Sequence, residues 1–230
     1  MQLPFCMLFY YIFLIFTRAA GLAHRIGRRK DTHGRVTGMG TVYIVLYVVG
    51  CYFIGNIMTG YLVAKWLKGI DLRKEGTGNI GARNAGRVIG PWGFVWTLAG
   101  DLIKAAAAVQ LSKSFGFSPA LQLASFFMVI VGHLWPVTLK FHGGKGVASF
   151  IGGILVFDWR IAAAAAVLFL VLFAVRRSLT VAGLVTFLAV PVAHYAFHQV
   201  LTPAILLLII SVLVVYVQKE DLALRLTEKP

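Results

Sequence analysis

A glycine-rich segment between two apolar runs, Glu75–Arg87, contains the residues best suited to binding a phosphate group. Its glycines permit positive φ angles, so successive backbone N–H groups can turn toward one anion. Two of its arginines are four positions apart and would face the same side of a helical turn. The alternative is a flexible loop whose charges only set topology. The candidates for the phosphate pocket are Gly78, Asn79, Gly81, Arg83, Asn84 and Arg87, with the hydroxyl of Thr77 beside them.

A second basic turn, Phe141–Ser149, places a lysine between glycines at the predicted start of a short helix. Lys145 there has the chemistry of a helix N-terminus that binds an anion. The turn is not a Walker A loop, because no Ser or Thr follows the lysine and no strand is predicted before it. Taken alone, a plain basic turn between two spans fits equally well. The phosphate hypothesis gains weight because both segments are predicted on the same face.

Ionisable side chains also occur inside the apolar runs. Asp101 and Lys104 are three positions apart, so they can pair on one helix face and offset part of the cost of burial. Such groups are functional candidates, although a structural tie between helices fits nearly as well. His133 is interpreted more readily as a satisfied packing residue than as a ligand. His194 and His198 fall near the opposite face and are interpreted as structural.

Three common catalytic arrangements are absent from the sequence. There is no His-x4-Asp dyad for deprotonating a hydroxyl, no Gly-x-Ser-x-Gly nucleophile elbow and no metal-ligand cluster. No metal and no cofactor are therefore expected. Any chemistry must depend on electrostatics and on the positioning of the reactants.

The composition indicates which elements position these residues. The chain has 230 residues, of which 59% are hydrophobic and only 13% charged, and its mean hydropathy is +0.83. Because a soluble domain has about a quarter of its residues charged, this chain must use lipid as solvent for much of its surface. Cys6 and Cys51 both lie in apolar runs, which excludes a disulfide framework. We predict an integral membrane protein.

The apolar runs predict an all-α bundle of about seven transmembrane helices. Two of the runs, 147–157 and 161–175, are shorter than the roughly 20 residues that a span needs. The charged pair within Asp158–Arg160 argues against one straight helix, so two short tilted helices or a re-entrant pair are expected. The runs are 42–64, 92–112, 118–139, 147–157, 161–175, 179–197 and 201–217.

The net charge of +14 indicates topology rather than nucleic-acid binding. If every run crosses the bilayer, 13 basic residues fall on one side, and only Lys113 and Arg160 fall on the other. The positive-inside rule then places both glycine segments and the C-terminus in the cytoplasm. The 13 residues are Lys65, Lys68, Arg73, Lys74, Arg83, Arg87, Lys140, Lys145, Arg176, Arg177, Lys219, Arg225 and Lys229.

Residues 1–38 do not fit this arrangement. The apolar run Leu3–Phe16 is short for a span, and no basic segment precedes it as in a signal peptide. The six basic residues after it would face outside, against the positive-inside rule. We therefore predict that Met39 is the natural start and that 1–38 is an extension, with an interfacial anchor as the alternative. Residues 39–230 then form one membrane-embedded domain.

Three motifs in this order resemble those of the bacterial acylphosphate:glycerol-3-phosphate acyltransferases, the PlsY family. They are Gly76–Asn84, Gly132-His133 and Gly143–Ser149. Gly55–Tyr61 is similar to the family's G-S-I-P-x-G-Y, and Asp101–Lys104 matches its D-x-x-K. The similarity covers roughly residues 42–217.

The resemblance implies a seven-helix enzyme of the bacterial inner membrane. Its reaction would transfer a fatty acyl group from acyl phosphate to the 1-hydroxyl of glycerol-3-phosphate, giving lysophosphatidate and phosphate, the first step of phospholipid synthesis. It also implies coupling to an enzyme that produces acyl phosphate; a monomer in membrane lipid is expected. Cations around the departing phosphate and close placement of the reactants would supply the catalysis.

The motifs extend the set of candidate site residues. No catalytic residue is assigned, and the best candidates are Thr77, Asn79 and Lys145. The additional candidates for substrate phosphate binding are Lys104, His133, Gly143, Gly144, Lys145, Gly146, Ser149 and Ser178.

The sequence also departs from the family pattern. The family's usual serine is Thr77, and a common threonine is Arg83. In the C-terminal segment, the expected histidine is Gln218 and the expected asparagine is Asp221. Two other interpretations therefore stay open: a transporter of a phosphate-bearing anion, and a non-catalytic relative that binds acyl phosphate or lysophosphatidate.

Overall fold

The computed structural model describes residues 41–219, so the predicted extension 1–38 and Asp221 lie outside the described residues. The described part is built of α-helices joined by loops and two 3₁₀ turns, as the all-α prediction requires. The turns are Leu72–Lys74 and Val137–Leu139. The helices are α1 (Thr41–Gly55), α2 (Thr59–Lys68), α3 (Ala82–Ile89), α4 (Pro91–Ser114), α5 (Pro119–Leu134), α6 (Val147–Phe157), α7 (Trp159–Arg176), α8 (Leu179–His198) and α9 (Leu201–Val217).

All seven predicted apolar runs form helices, but the count of seven crossings is not confirmed. Four segments are long and apolar enough to cross a bilayer: α4, α7, α8, and α5 together with the 3₁₀ turn that extends it to Leu139. The first run is broken into α1 and α2, which bend by 40° and together make a fifth candidate span. The apolar helices α6 and α9 have 11 and 17 residues. At 1.5 Å per residue, α6 is only about 16 Å long, roughly half of a hydrocarbon layer.

The helix α5 forms the centre of the bundle, with α1, α4, α6 and α9 packed around it. The most apolar stretch of α5 is 83% buried inside the protein, whereas that of α7 is 6% buried. Because the side chains of α7 are almost all apolar, its exposed surface suits lipid rather than water. The described bundle thus has a packed interior and an apolar outer surface.

Small residues allow the central helices to cross closely. A Cβ on Gly55 would lie 2.3 Å from the carbonyl oxygen of Val129, and one on Gly132 would lie 2.1 Å from that of Tyr52. The crossing of α1 and α5 therefore requires glycine on both helices, as is usual where backbones touch in membranes. Gly152 plays the same part between α6 and α4, because its Cβ would lie 2.2 Å from the carbonyl oxygen of Leu102.

A second, smaller core lies beneath the loops at one end of the bundle. It joins α2, the glycine-rich segment, α3 and the 3₁₀ turn that follows α5. Its buried members are Met58, Ala64, Leu72, Ile80, Ala85 and Leu139. The first glycine segment and the 3₁₀ turn just before the second are therefore packed on the same apolar cluster, although about 60 residues separate Ile80 from Leu139 in sequence.

Candidate active site

The side chain of Asn84 organises the first glycine segment. It is 3% exposed, and its Oδ1 accepts a hydrogen bond from the backbone N–H of Thr77 at 2.9 Å. Its Nδ2 donates to the carbonyl oxygens of Glu75 and Asn79, both at 2.9 Å. These bonds satisfy loop groups that would otherwise be buried without partners. Asn84, one of the predicted pocket residues, therefore shapes this loop through its side-chain hydrogen bonds.

The glycines of this segment set its conformation more than they present free N–H groups. Gly76 and Gly78 have φ of +60° and +73°, which favours glycine. The N–H of Gly78 donates to the carbonyl oxygen of Glu75, and that of Gly81 donates to Oδ1 of Asn79 at 3.0 Å. These two N–H groups are engaged inside the loop. The first N–H groups of α3, which have no acceptor within their own helix, are better placed for an anion.

The two predicted arginines project from α3. Arg83 and Arg87 are four residues apart on this helix, and neither is buried. Among the described residues, neither guanidinium group has a hydrogen-bonding or ionic partner. Two exposed cations on one short helix are chemically suited to a phosphate that approaches from solvent.

Sequence reasoning did not single out Arg73, which links the two glycine segments. Its guanidinium pairs with Asp71 at 2.6 Å and lies 5.4 Å from the ring centre of Tyr61. Its Nη1 also donates to the carbonyl oxygen of Leu139, just before the second turn. The hydrogen bond from Arg73 lowers the pKa of Asp71 to about 2, so this carboxylate stays charged at neutral pH. The signal in the sequence was only a charged pair two residues apart.

The second turn packs against the end of α5. The N–H of Gly144 donates to the carbonyl oxygen of His133 at 3.1 Å. A Cβ on Gly143 would lie 2.1 Å from that oxygen, and a Cβ on Gly144 would lie 2.3 Å from Nε2 of His133. Gly146 has φ of +76° and precedes α6, while Lys145 is partly exposed. The glycines therefore allow the turn that carries Lys145 to pack directly against His133.

Asp101, Lys104 and His133 form a buried polar cluster below this turn. The predicted pair is present, with 2.9 Å between Lys104 Nζ and Asp101 Oδ1, and the two side chains are 5% and 3% exposed. The Nδ1 atom of His133 lies 2.8 Å from Lys104 Nζ. When Lys104 is charged and the histidine ring is neutral, Nδ1 is the acceptor in this contact and the ring proton is on Nε2. That N–H points toward Gly144.

Lys104 also explains how the break between α1 and α2 is tolerated. The break frees carbonyl groups that a continuous helix would use, and Lys104 Nζ donates to those of Gly55 at 3.1 Å and Ile57 at 2.8 Å. The negative end of the α1 dipole favours a cation at this position. Its donors are thus engaged inside the protein, which makes Lys104 a positioning residue in this conformation.

Two hydroxyl groups complete the cluster from neighbouring helices. Thr59 on α2 donates to Asp101 Oδ1 at 3.3 Å, and Ser149 on α6 donates to the backbone carbonyl of Asp101 at 3.1 Å. Ser149 is fully buried. Four helix segments therefore meet at Asp101, and His133 joins this cluster to the second glycine turn.

Comparison with known proteins identifies the family of this chain. A family model described as glycerol-3-phosphate acyltransferase matches residues 45–228. The chain belongs to this family. Glycerol-3-phosphate acyltransferase 1 from a strain of Bacillus cereus is 39% identical over 175 residues, which cover 76% of this chain and 94% of the relative. The protein of the same name from Desulfitobacterium hafniense is 43% identical over 145 residues, covering 63% and 72%.

The fold of this acyltransferase is similar to two crystal structures of PlsY (YgiH), described as an integral membrane glycerol 3-phosphate acyltransferase. The glycerol 3-phosphate form has a TM-score of 0.73 and 28% identity, and the lysophosphatidic acid form has 0.72 and 27%. Each match covers 80% of this chain and 92% of the other. The family predicted from the three motifs is confirmed, and so are the membrane acyltransferase class and the all-α integral membrane fold.

Two further positions of this acyltransferase lie at helix ends. The hydroxyl of Ser178 caps α8 by accepting from the N–H of Val181 at 3.4 Å. Gln218 is 7% exposed and donates to the carbonyl oxygen of Val214, whose side chain lies near Gly146. The departure from the family pattern at Gln218 is therefore one helical turn from a residue that contacts the second glycine turn.

Proposed function

We propose that this chain transfers a fatty acyl group from acyl phosphate to the 1-hydroxyl of glycerol-3-phosphate. The observation that carries the proposal has two parts. The first glycine segment shares one small core, and a bond from Arg73, with the 3₁₀ turn just before the second segment, and the second segment packs on His133 of the Asp101–Lys104–His133 cluster. The relatives' names and the two PlsY forms support glycerol-3-phosphate as acceptor and lysophosphatidate as product. Acyl phosphate as donor is what the resemblance to the PlsY family implies, and two cationic glycine segments suit a reaction in which both substrates carry phosphate.

The reaction needs few chemical groups from the protein. The hydroxyl oxygen attacks the carbonyl carbon of the acyl phosphate, the bond from that carbon to the phosphate oxygen breaks, and phosphate leaves with the electron pair. The hydroxyl proton ends on the released phosphate or on water. Because the donor is a mixed anhydride, stabilising the leaving charge and orienting the reactants supply most of the rate enhancement.

The described residues divide into binding and positioning groups. Arg83, Arg87 and Lys145 bind the substrate phosphates in this proposal, with Thr77 and Asn79 beside them. Asn84, Lys104 and Ser149 shape the pocket through internal hydrogen bonds. The Nε2–H of His133 is the buried donor closest to the second turn. The backbone conformation of the two segments depends on Gly78, Gly81, Gly143, Gly144 and Gly146. Ser178 is a further candidate contact for the substrate.

The proposed setting is the inner membrane of a bacterium, with both glycine segments and the C-terminus in the cytoplasm. The soluble substrate, glycerol-3-phosphate, then reaches the site from the side that carries the basic residues. The acyl chain lies in lipid or between helices. The chain acts as a monomer and receives its donor from an enzyme that makes acyl phosphate.

The test uses purified protein in lipid with palmitoyl phosphate and glycerol-3-phosphate. Phosphate and lysophosphatidate should form in equal amounts and only with acceptor present. Replacing the donor by palmitoyl-CoA should give no product. Turnover with the thioester alone would overturn the donor assignment. If folded protein shows no turnover at all, a gain of activity in the double variant Gln218→His and Asp221→Asn would identify a decayed enzyme.

Charge-removing variants test the binding residues. Lys145→Ala and Arg87→Ala should each lower kcat/KM by at least about tenfold, because each removes a charge-assisted contact of about 1.5–3 kcal/mol. Arg160→Ala is the matched control, since this exposed arginine lies at the far end of α6 over Trp159. Rates equal to wild type in Lys145→Ala and Arg87→Ala would contradict the assigned pocket.

A further inference from the structure

A cluster of potential metal ligands lies at the end of α6 away from the second glycine turn. Asp158 stands between α6 and α7, and His194 and His198 lie one turn apart at the end of α8. One ligand atom from each residue falls within 4.8 Å of the others. Since α6 is about 16 Å long, the cluster is well separated from the second turn. Sequence reasoning found no metal-ligand cluster, because 40 residues separate Asp158 from His198.

The two oxygens of Asp158 have different tasks. Oδ1 caps α7 by accepting from the N–H groups of Arg160 at 3.0 Å and Ile161 at 3.4 Å. Oδ2 lies 2.6 Å from Nε2 of His198. Oδ1 thus caps the helix, while Oδ2 makes a hydrogen bond with His198. A metal ion can replace the proton of that hydrogen bond.

His194 is the observation that distinguishes this cluster from a simple ion pair. The residue is 5% exposed, and both ring nitrogens are buried with no hydrogen-bond partner among residues 41–219. A buried imidazole without partners is costly, and such groups in native proteins call for an explanation. The ring centre lies 4.7 Å from that of His198. One of its nitrogens is therefore available for a ligand beside the other two residues.

We propose that Asp158, His194 and His198 bind a divalent transition-metal ion of the Zn²⁺ type. Two imidazole nitrogens and one carboxylate oxygen form a ligand set found in zinc sites, where water takes the fourth position. In such a site the ligand atoms are about 3.3 Å apart. On binding, Asp158 and His198, now 2.6 Å apart, must separate slightly, while His194 moves toward them by up to about 1.5 Å. His198 and Asp158 are partly exposed, which gives the ion a route from solvent. The ion would tie the junction of α6 and α7 to the end of α8.

The test measures Zn²⁺ binding to the full chain in detergent after removal of any affinity tag. Wild-type protein should bind one equivalent at this site in a competition assay with a chelating dye, and its Tm should rise with Zn²⁺. Mg²⁺ should have neither effect, because it prefers oxygen ligands. Substituting Co²⁺ should give the visible absorption of a four-coordinate site with nitrogen and oxygen ligands.

Two ligand variants and one matched control complete the experiment. Asp158→Asn keeps a good helix cap, and His198→Ala changes an exposed side chain, so both should fold. Each should weaken Zn²⁺ affinity by at least about tenfold, since even outer-shell changes cost about 10- to 100-fold. His142→Ala removes an exposed histidine elsewhere and should bind as wild type. No stoichiometric Zn²⁺ binding by wild type, or unchanged affinity in both ligand variants, would overturn the proposal.

Discussion

At the scale of single residues, Lys104 on α4 joins the end of α1 and His133 of α5 to Asp101. Replacing it in Lys104→Ala leaves Asp101 as a buried, unpaired carboxylate and frees the carbonyl groups of Gly55 and Ile57. Breaking a buried pair from one side costs about 3–5 kcal/mol. We expect a loss of that size in the free energy of unfolding, measured by chemical denaturation in detergent micelles.

The matched control for this variant is Lys65→Ala. Lys65 is exposed on α2, and the change should stay within about 0.5 kcal/mol of wild type. Similar losses in the two variants would show that the cluster does not contribute to stability as its geometry indicates.

Gly144 tests whether the second turn must touch His133. A methyl group in Gly144→Ala would stand 2.3 Å from Nε2 of the histidine, so the turn or the ring must move. Overpacking of this kind costs about 1–3 kcal/mol, and a displacement of about 1 Å near reacting groups can cost about 100-fold in rate. We expect acyl transfer to fall far more than stability. Gly183→Ala has open space and should retain wild-type activity; equal rates in both variants would refute the expectation.

The sequence indicated part of this site, and physical reasons limit the rest. The spacing of Asp101 and Lys104 predicted their pairing, because i and i+3 share a helix face. The carbonyl partners of Lys104 could not be predicted, since backbone groups become available only where a helix breaks. Asn84 was predicted in the pocket as a hydrogen-bonding group. Its hydrogen bonds to the loop depend on the backbone conformation of residues 75–79. No rule based on residue spacing predicts that conformation.

At the scale of helices, apolar runs predicted position well and continuity poorly. The runs 147–157 and 201–217 coincide with α6 and α9. The run 42–64 contains no proline, and its hydropathy hides the break at Gly55–Thr59. The break is stable because Lys104 and Thr138 bond to the freed groups, the latter through the backbone of Asn56. Partners this distant in sequence are invisible to a local pattern.

The crossing of α1 and α5 gives a test at the same scale. In Gly55→Ala the added methyl group would meet the backbone of α5 at 2.3 Å, and backbone cannot rotate away as a side chain can. We expect destabilisation of about 2–3 kcal/mol together with loss of activity, because the same crossing holds His133 in place. Gly50→Ala lies on the same helix with nothing within 4 Å and should gain up to about 1 kcal/mol of stability. Thermal unfolding of both variants in the same detergent distinguishes a packing effect from a helix-propensity effect. A Gly55→Ala variant more stable than wild type would contradict the close contact of α1 and α5.

At the scale of the whole molecule, the outer surface of the bundle is suited to lipid. The nearly unburied α7 presents apolar side chains around its length, which only lipid can cover without cost. The composition alone predicted this environment. It could not show which helices form the interior, because α5 and α7 are both strongly apolar and differ only in their neighbours. Burial is therefore a property of assembly rather than of either sequence segment.

Orientation is tested by cysteine labelling in intact spheroplasts of an expressing bacterium. In a background with Cys6→Ser, the remaining Cys51 is fully buried and should not react with an impermeant maleimide. Arg160→Cys, at the exposed junction of α6 and α7, should be labelled in intact cells.

The opposite side is probed by His142→Cys, which is exposed in the second turn. It should be labelled only after permeabilisation, because the basic side is predicted to be cytoplasmic. Ile103→Cys, exposed on the apolar surface of α4, serves as the lipid-facing control and should resist labelling in both states. Labelling of His142→Cys in intact cells would reverse the topology and would place the proposed pocket on the side without cytoplasmic glycerol-3-phosphate.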